Sequence, residues 1–451
     1  MTAVSDVLIL GGGSAGYACA LRASQLGLSV TLIEADQVGG TCLHRGCIPT
    51  KALLHAAEIA DVTRAAECFG VRATLAGIDM MAVHAYKQSV VDRLHTGLTG
   101  LIDRRGISVV SGMGRYVGNH TVVVDGISYT GDAVVLATGS APRGIANIPI
   151  GDRIIDSDHA LQLSEIPRTA IVLGGGVIGV EFASMWASFG TTVTVLEAMP
   201  RLLPGEDEWT SKMLGRALQR RGITAKTGAT VTAATQNSVG VAVELADGEV
   251  IEAEMLLVAV GRGPRSAGLV EAGIEMDRGC VTVDDRLATN HAGVYAVGDL
   301  VAGLQLAHRG FAHGSYVAEQ LAGQNPVLTP DYLIPRVTYS HPQVASVGLT
   351  EAAAREQYGD VTTLVYDLGG NGKSQILRTS GGVKVIRRGG GPVVGVHTVG
   401  DRVGELIGEA QLMVGWEALP TDVAPLVHAH PTQNEALGEA MLALAGSPLH
   451  A

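Results

Sequence analysis

The chain has 451 residues, which suggests about three domains at roughly 150 residues each. Its 32 Lys and Arg against 44 Asp and Glu leave a net charge of -12, which argues against a nucleic-acid binder relying on a basic surface. Hydrophobic residues make up 47% and charged residues only 17%, so packed cores rather than disorder are expected, and the 60 glycines show no collagen-like period.

The first ten residues carry Asp6 and no basic region, so they do not read as a signal peptide. Val7-Leu8-Ile9-Leu10 reads as a buried strand running into Gly11-Gly12-Gly13-Ser14-Ala15-Gly16, followed by a helical stretch, Tyr17 to Leu26. A second strand, Val30 to Ile33, ends at Glu34. The pattern returns at Ile171-Val172-Leu173, Gly174-Gly175-Gly176-Val177-Ile178-Gly179, the helical stretch Val180 to Phe189, and Val193 to Leu196 before Glu197. Gly11 to Glu34 and Gly174 to Glu197 both span 23 positions. A lone G-x-G-x-x-G is weak, but in this duplicated context the glycines admit a pyrophosphate, the helix N-terminus supplies free N–H groups, and the acid holds a ribose diol. Two dinucleotide-binding lobes are expected. Glu197 favours NAD over NADP by repelling a 2′-phosphate, with Arg201 nearby pulling the other way.

Between the repeats lies Gly39-Gly40-Thr41-Cys42-Leu43-His44-Arg45-Gly46-Cys47-Ile48-Pro49-Thr50-Lys51. In a regular helix residues five apart point away from each other, so a Cys42–Cys47 bond needs a distorted turn, which Gly46 and Pro49 permit. Closing so short a loop stabilises folding by only roughly 2 kcal/mol, too little to suggest a structural staple. A redox-active pair, two unpaired thiols, and half of a metal site with His44 are the open readings. Cys19, Cys68 and Cys280 read as packing residues, and five scattered cysteines suit a reducing compartment.

Further strands are expected at Ala133 to Ala137 before Thr138-Gly139-Ser140, at Met255 to Val260 before Gly261-Arg262, and at Gly293 to Val297 before Gly298-Asp299. From about Ile334 the Val-rich runs 361–366, 382–386 and 393–398, with a helical stretch Glu405 to Val414, suggest an α+β domain. Pro431 suits the first turn of a helix over Thr432 to Leu444, with Glu435 one turn inside and able to orient His430. His430 then reads as a capping or surface histidine, or as half of an acid–base dyad. His428 and His313 read as structural. No uncharged run reaches the ~18 apolar residues of a membrane span, so a soluble cytoplasmic protein is expected.

The sequence resembles the flavoprotein disulfide reductases over essentially its whole length, and most closely those that oxidise dihydrolipoamide. The likeness rests on Gly11 to Gly16, Gly40-Thr41-Cys42 to Lys51, Gly174 to Glu181, Gly298-Asp299, Ile334 to Gly348 and His428-Ala429-His430-Pro431-Thr432, of which the cysteine segment and the tail are specific. It implies an α/β fold with two Rossmann-like domains, for FAD and NAD, and an α+β C-terminal dimerisation domain. The expected division is 1–143 and 265–333 for the FAD-binding domain, 144–264 for the NAD-binding domain and 334–451 for the interface.

The resemblance also implies a redox-active Cys42–Cys47 disulfide with FAD between it and the nicotinamide. Matched FAD positions are Gly11, Gly13, Gly16, Glu34, Thr41, Lys51, Gly114, Thr138, Gly139, Ser140, Asp299, Gln305, Leu306, Ala307 and His308. Matched NAD positions are Gly174, Gly176, Gly179, Glu181, Glu197, Val231 and Gly261. Lys51 paired with Glu181 would lie near the flavin, Cys42 would receive the substrate thiolate, Cys47 would be released as a thiolate, and His430 with Glu435 would move the proton. No metal, nucleic acid or membrane is implied. The implied activity is NAD-dependent oxidation of protein-bound dihydrolipoamide in a 2-oxoacid dehydrogenase or glycine cleavage complex, with lipoyl domains and an E2-type core as partners. A homodimer is implied, His430 serving the other subunit's disulfide.

His44 where many relatives carry Asn, Gln343 for a common Glu, and Gln433-Asn434 before Glu435 depart from the family pattern. Val177 stands where some glutathione reductases carry a tyrosine gate. Rival readings are an NAD(P)H-dependent reductase of mycothione or glutathione, and a docking component of a dehydrogenase complex.

Overall fold

The computed structural model describes residues 4–450. The first repeat folds as strand Val4–Leu10, helix Ser14–Gln25 and strand Val30–Glu34. Val4–Leu10 lies between Val30–Glu34 and Ile127–Leu136, parallel to both. Val7, Leu8 and Ile9 are almost fully buried, because a strand covered on both faces needs apolar residues at consecutive positions. Val294–Ala296, from far along the chain, pairs in parallel with Ile127–Leu136 and completes this sheet.

The second repeat is strand Thr169–Leu173, helix Val177–Phe189 and strand Thr192–Glu197. It belongs to a five-stranded parallel sheet ordered 224–227, 192–197, 169–173, 255–258, 154–155. This sheet and the antiparallel strands 231–236, 241–245 and 250–253 are inserted between two neighbouring strands of the first sheet. The C-terminal part is an antiparallel sheet ordered 336–338, 343–348, 393–400, 382–388, 361–367. Helices Ile407–Gly415 and Glu435–Leu444 pack on it through Ala410, Met413, Leu437 and Met441. The fold is therefore α/β with two Rossmann-like lobes and an α+β C-terminal domain. No described helix is long and apolar enough to cross a membrane.

One apolar cluster joins the three parts: Leu53 and Ala57 from helix Cys47–Ala65, Phe182 and Trp186 from helix Val177–Phe189, and Val344 and Val399 from the C-terminal sheet. It fixes the cysteine segment against the second lobe.

Three expectations are corrected. The C-terminal helix begins at Glu435, so Pro431 lies outside it and Glu435 is its first residue rather than one turn inside. Side-chain bonds compete with the helix ladder here: the Thr432 hydroxyl donates to the Ala429 carbonyl (2.7 Å), and the Gln433 and Asn434 side chains bond to other elements, so the regular helix starts only after Asn434, its cap. Cys68 is not a packing residue; it is exposed in a short turn, Ala66–Phe69, that buries nothing, whereas Cys19 is fully buried. The stretch Glu405 to Val414 opens with a tight turn, Val403–Leu406, before α geometry begins at Ile407.

Candidate active site

The two glycine turns are alike down to their hydrogen bonds. Gly11 and Gly174 have φ of 108° and 113°, and a Cβ on either would strike the carbonyl of Ala137 or Ala259. The next glycine in each turn, Gly12 or Gly175, donates its N–H to Glu34 or Glu197 at 2.6 Å. The other carboxylate oxygen takes the N–H of Asp36 (2.8 Å) or Met199 (2.7 Å). Each acid thus holds its own turn closed as well as facing the cavity. Gly13 and Gly176 are the N-caps of their helices, and no side chain caps either helix, so free N–H groups face the cavity.

A continuous cavity of about 1450 Å³ runs from the first turn past the cysteines to the second. It is lined by Gly11, Gly13, Glu34, Thr41, Cys42, Cys47, Lys51, Gly114, Thr138, Gly139, Ser140, Asp299 and Gln305 to His308, and by Gly174, Gly176, Glu181, Glu197, Val231 and Gly261. Two uncapped helix N-termini, each beside a close-approach glycine and a carboxylate, fit the pyrophosphate and ribose of two dinucleotides.

Gly16 and Gly179 do not line this cavity. They lie where each helix crosses its own turn, and a Cβ on either would collide with the carbonyl of Gly11 or Gly174. Their role here is helix–turn packing. Gly179→Ala is expected to lower stability by about 1–3 kcal/mol and raise the KM for NAD, with flavin retained in the other lobe. Thermal melting and cofactor titration check this, and an unchanged melting point would show that the turn relaxes freely.

The cysteines sit on two helices. Gly40–Arg45 carries Cys42, and Cys47–Ala65 begins at Cys47. Gly46 alone makes the break, with φ −145° and ψ −114°, and a Cβ there would lie 2.9 Å from the Thr41 carbonyl. Pro49 is no part of the distortion; it sits in the first turn of the second helix, where its missing N–H costs nothing. Both cysteines are free thiol groups in contact, Cys42 donating to Cys47. That bond draws the Cys47 thiol down to about 7, with Lys51 helping and burial opposing. The same contact, burial and the Cys47 charge push Cys42 far up. The two shifts are opposed, so Cys47 is the member of the pair that ionises more readily.

Lys51, one turn along from Cys47, bonds both Glu181 oxygens at 3.0 and 2.9 Å. Burial works against its charge, but Glu181 and Cys47 outweigh it and hold its pKa above the ordinary lysine value. Glu181 is almost fully buried and also accepts the Tyr339 N–H at 2.9 Å, while the Lys51 ammonium lies 4.8 Å from the Tyr339 ring centroid.

Sequence reasoning missed a chain of polar contacts at the junction of the lobes. Ser140 donates to Asp299 (2.6 Å) and accepts from the Arg262 Nε (2.8 Å), and a second Arg262 nitrogen bonds the Ser140 carbonyl at 2.9 Å. The signal was Arg262, which follows Gly261 and was given no role. Arg201 turns from the cavity and bonds the Pro204 carbonyl at 2.9 Å. His44 turns from the cysteines, its Nε2 3.0 Å from the Val38 carbonyl and its ring against His95. His313 is buried, and burial pushes its pKa down to about 4.

His430 and Glu435 lie outside the cavity. His430 Nδ1 is 2.8 Å from Glu435 Oε1, and the other Glu435 oxygen accepts the Thr432 N–H at 2.7 Å. The His430 side chain is 75% exposed. One chain brings together the cysteines, Lys51 and Glu181, and leaves the histidine facing outward.

Comparison with known proteins accounts for this architecture. Residues 5–314 match the pyridine nucleotide-disulphide oxidoreductase family model, and residues 334–441 match the family's dimerisation domain. The chain belongs to the pyridine nucleotide-disulphide oxidoreductase family. It is 39% identical to a dihydrolipoyl dehydrogenase of Bacillus subtilis, over 99% of both chains. It is 37% identical to that of Thermus scotoductus, over 99% of this chain and 98% of the relative. Among solved structures, LpdA from Mycobacterium tuberculosis superposes with a TM-score of 0.91 at 26% identity, covering 97% of this chain and 99% of that one. The Cu(II) complex of the HOCl-induced flavoprotein disulfide reductase RclA from Escherichia coli gives 0.88 at 27% identity, covering 98% and 99%. The protein is an NAD-dependent flavoprotein disulfide oxidoreductase, with FAD and NAD as cofactors and a dimerisation domain of its own.

Proposed function

We propose that the protein acts as a dihydrolipoyl dehydrogenase, oxidising protein-bound dihydrolipoamide with NAD+. The observation that carries the reading is the Cys42–Cys47 contact in the wall of the cavity, with Lys51, bonded to Glu181, in the same wall, an arrangement that favours ionisation of Cys47 over Cys42. Curated relatives named for this activity, matched over nearly their whole length, support the same reading.

In the oxidised enzyme Cys42 and Cys47 share a disulfide. His430 Nε2, with Nδ1 tied to Glu435, takes the proton of one dihydrolipoyl thiol. The resulting thiolate attacks Cys42 Sγ, the Cys42–Cys47 bond breaks, and Cys47 leaves as a thiolate stabilised by Lys51 and its helix N-terminus. The second substrate thiol then attacks its partner sulfur in the mixed disulfide and closes the lipoyl disulfide; Cys42 leaves and takes the proton held by His430, which receives the proton of the second thiol in its place. FAD, which the Gly11 turn, Glu34 and Asp299 would hold, would supply the acceptor for the electron pair and its relay as hydride to NAD+. Residues 1–143 and 265–333 form the FAD-binding domain, 144–264 the NAD-binding domain and 334–451 the interface. Glu34 serves the FAD ribose and Glu197 the NAD ribose, with Asp299 and Ser140 at the ribityl chain.

The working unit is a homodimer, because His430 faces outward on a dimerisation domain and can meet a cysteine pair only in a second copy. Its partners are lipoyl domains and the E2-type core of a cytoplasmic 2-oxoacid dehydrogenase or glycine cleavage complex. Steady-state assays of dihydrolipoamide, mycothione and glutathione, each with NAD and NADP cofactors, test the reading. Dihydrolipoamide with NAD is expected to be preferred by a wide margin; preference for either other thiol–disulfide couple would overturn it.

A further inference from the structure

The turn that carries His430 has no backbone ladder of its own. Among the described residues, no backbone N–H from Val427 to Asn434 bonds a backbone carbonyl outside regular elements. Such a stretch keeps its shape only through side-chain bonds. Two of them converge on Glu409, on helix Ile407–Gly415. His428 Nε2 lies 2.8 Å from Glu409 Oε1, and the Asn434 amide donates to Oε2. His428 stands two residues before His430 and Asn434 four after it, so one carboxylate fastens both ends of the turn. The middle is held from another side: Asn371 Nδ2 donates to the Thr432 carbonyl (3.0 Å), and Ser374 Oγ donates to Gln433 Oε1 (2.7 Å). Neither Glu409 oxygen bonds His430, whose one side-chain partner is Glu435.

We propose that Glu409 is a positioning residue for the reaction, acting through the turn to aim the His430 imidazole at the cysteine pair of a second copy. The proposal rests on the acid–base role assigned to His430. Glu435 sets which ring nitrogen faces away from the protein, but the direction of the whole ring follows the backbone between His428 and Asn434. Glu409 can bridge both ends because a carboxylate accepts at two oxygens. Glutamine keeps an oxygen for the Asn434 N–H and turns its NH2 toward His428 Nε2, which accepts in the other imidazole tautomer, whereas alanine removes both bonds. This gives a function to His428, read from sequence as merely structural, and to the unusual Asn434.

The test uses the full-length holoprotein as wild type, E409A, E409Q, N434A and H430A. Both kcat and KM for dihydrolipoamide oxidation are measured, together with NADH-driven ferricyanide reduction, which draws electrons from the flavin without the thiol proton step. E409A is expected to lose on the order of 10- to 100-fold in dihydrolipoamide kcat, with KM little changed and ferricyanide reduction intact. E409Q, which still bridges both ends of the turn, should keep most of the activity. Wild-type kcat in E409A beside a slow H430A overturns the proposal alone, and so does a loss in E409Q equal to that in E409A. Wild-type turnover in H430A removes the role of His430 and this proposal with it. Should E409A not fold, N434A, which frees one end of the turn, should lose kcat with KM little changed, and an unchanged kcat there overturns the proposal.

Discussion

Replacing Cys47 by serine is expected to reduce dihydrolipoamide oxidation by 10⁴-fold or more, an order of magnitude typical of losing a group that bonds covalently in the reaction. A serine hydroxyl forms no disulfide and is not ionised near neutrality, so the electron pair has no route from substrate to flavin. The same change should abolish the long-wavelength absorbance that a thiolate beside a flavin produces on partial reduction. Cys47 carries the charge because Cys42 donates a hydrogen bond to it and Lys51 lies near, which draws its pKa to about 7. In the reduced wild type the absorbance should therefore grow as pH rises through about 7 and fade below it, since the protonated thiol gives none. Cys42→Ser should keep the absorbance while losing turnover. Spectra during partial reduction check both, and a long-wavelength band surviving in Cys47→Ser would assign the thiolate to the wrong cysteine.

The second large effect is expected at His430. His430→Ala should slow dihydrolipoamide oxidation by roughly 10²- to 10⁴-fold, the usual worth of a positioned acid–base group. The flavin should stay bound, because His430 lies outside the cavity and touches none of its lining. Turnover assays beside the absorbance of bound flavin separate the two, and near-wild-type turnover would refute the acid–base assignment. Mixing Cys47→Ser with His430→Ala chains should regain activity, since a mixed dimer holds one site with both groups intact. No regain on mixing would mean that each site draws both groups from one chain.

Much of the site was legible before any coordinates, for a definite reason. A glycine turn between a buried strand and a helix is a local requirement, set by φ values near +110° and by close backbone approach at Gly11 and Gly174. Such demands are written in adjacent residues, and their recurrence at one spacing marks a repeat. The cysteine segment is local in the same sense. The ends of elements were less legible: the helix expected from Thr432 starts at Glu435, because the Thr432 hydroxyl bonds back to Ala429 and because Gln433 and Asn434 find side-chain partners that only the folded domain supplies.

By itself, the sequence determined the two nucleotide-binding lobes and the acids at their strand ends, and it marked the cysteine pair and, through family resemblance, the histidine proposed to serve it. Tertiary structure decided how these groups are held. It assigned Gly16 and Gly179 to packing rather than to the cavity, placed Gly46 alone at the helix break, built the Asp299–Ser140–Arg262 chain, and set Lys51 against Glu181, 130 residues away. It also turned His430 outward, away from the cysteines of its own chain. Periodicity and turn chemistry report contacts a few residues apart, whereas charge pairing and hydrogen bonding act through space. They depend on which distant segments the packed core brings together.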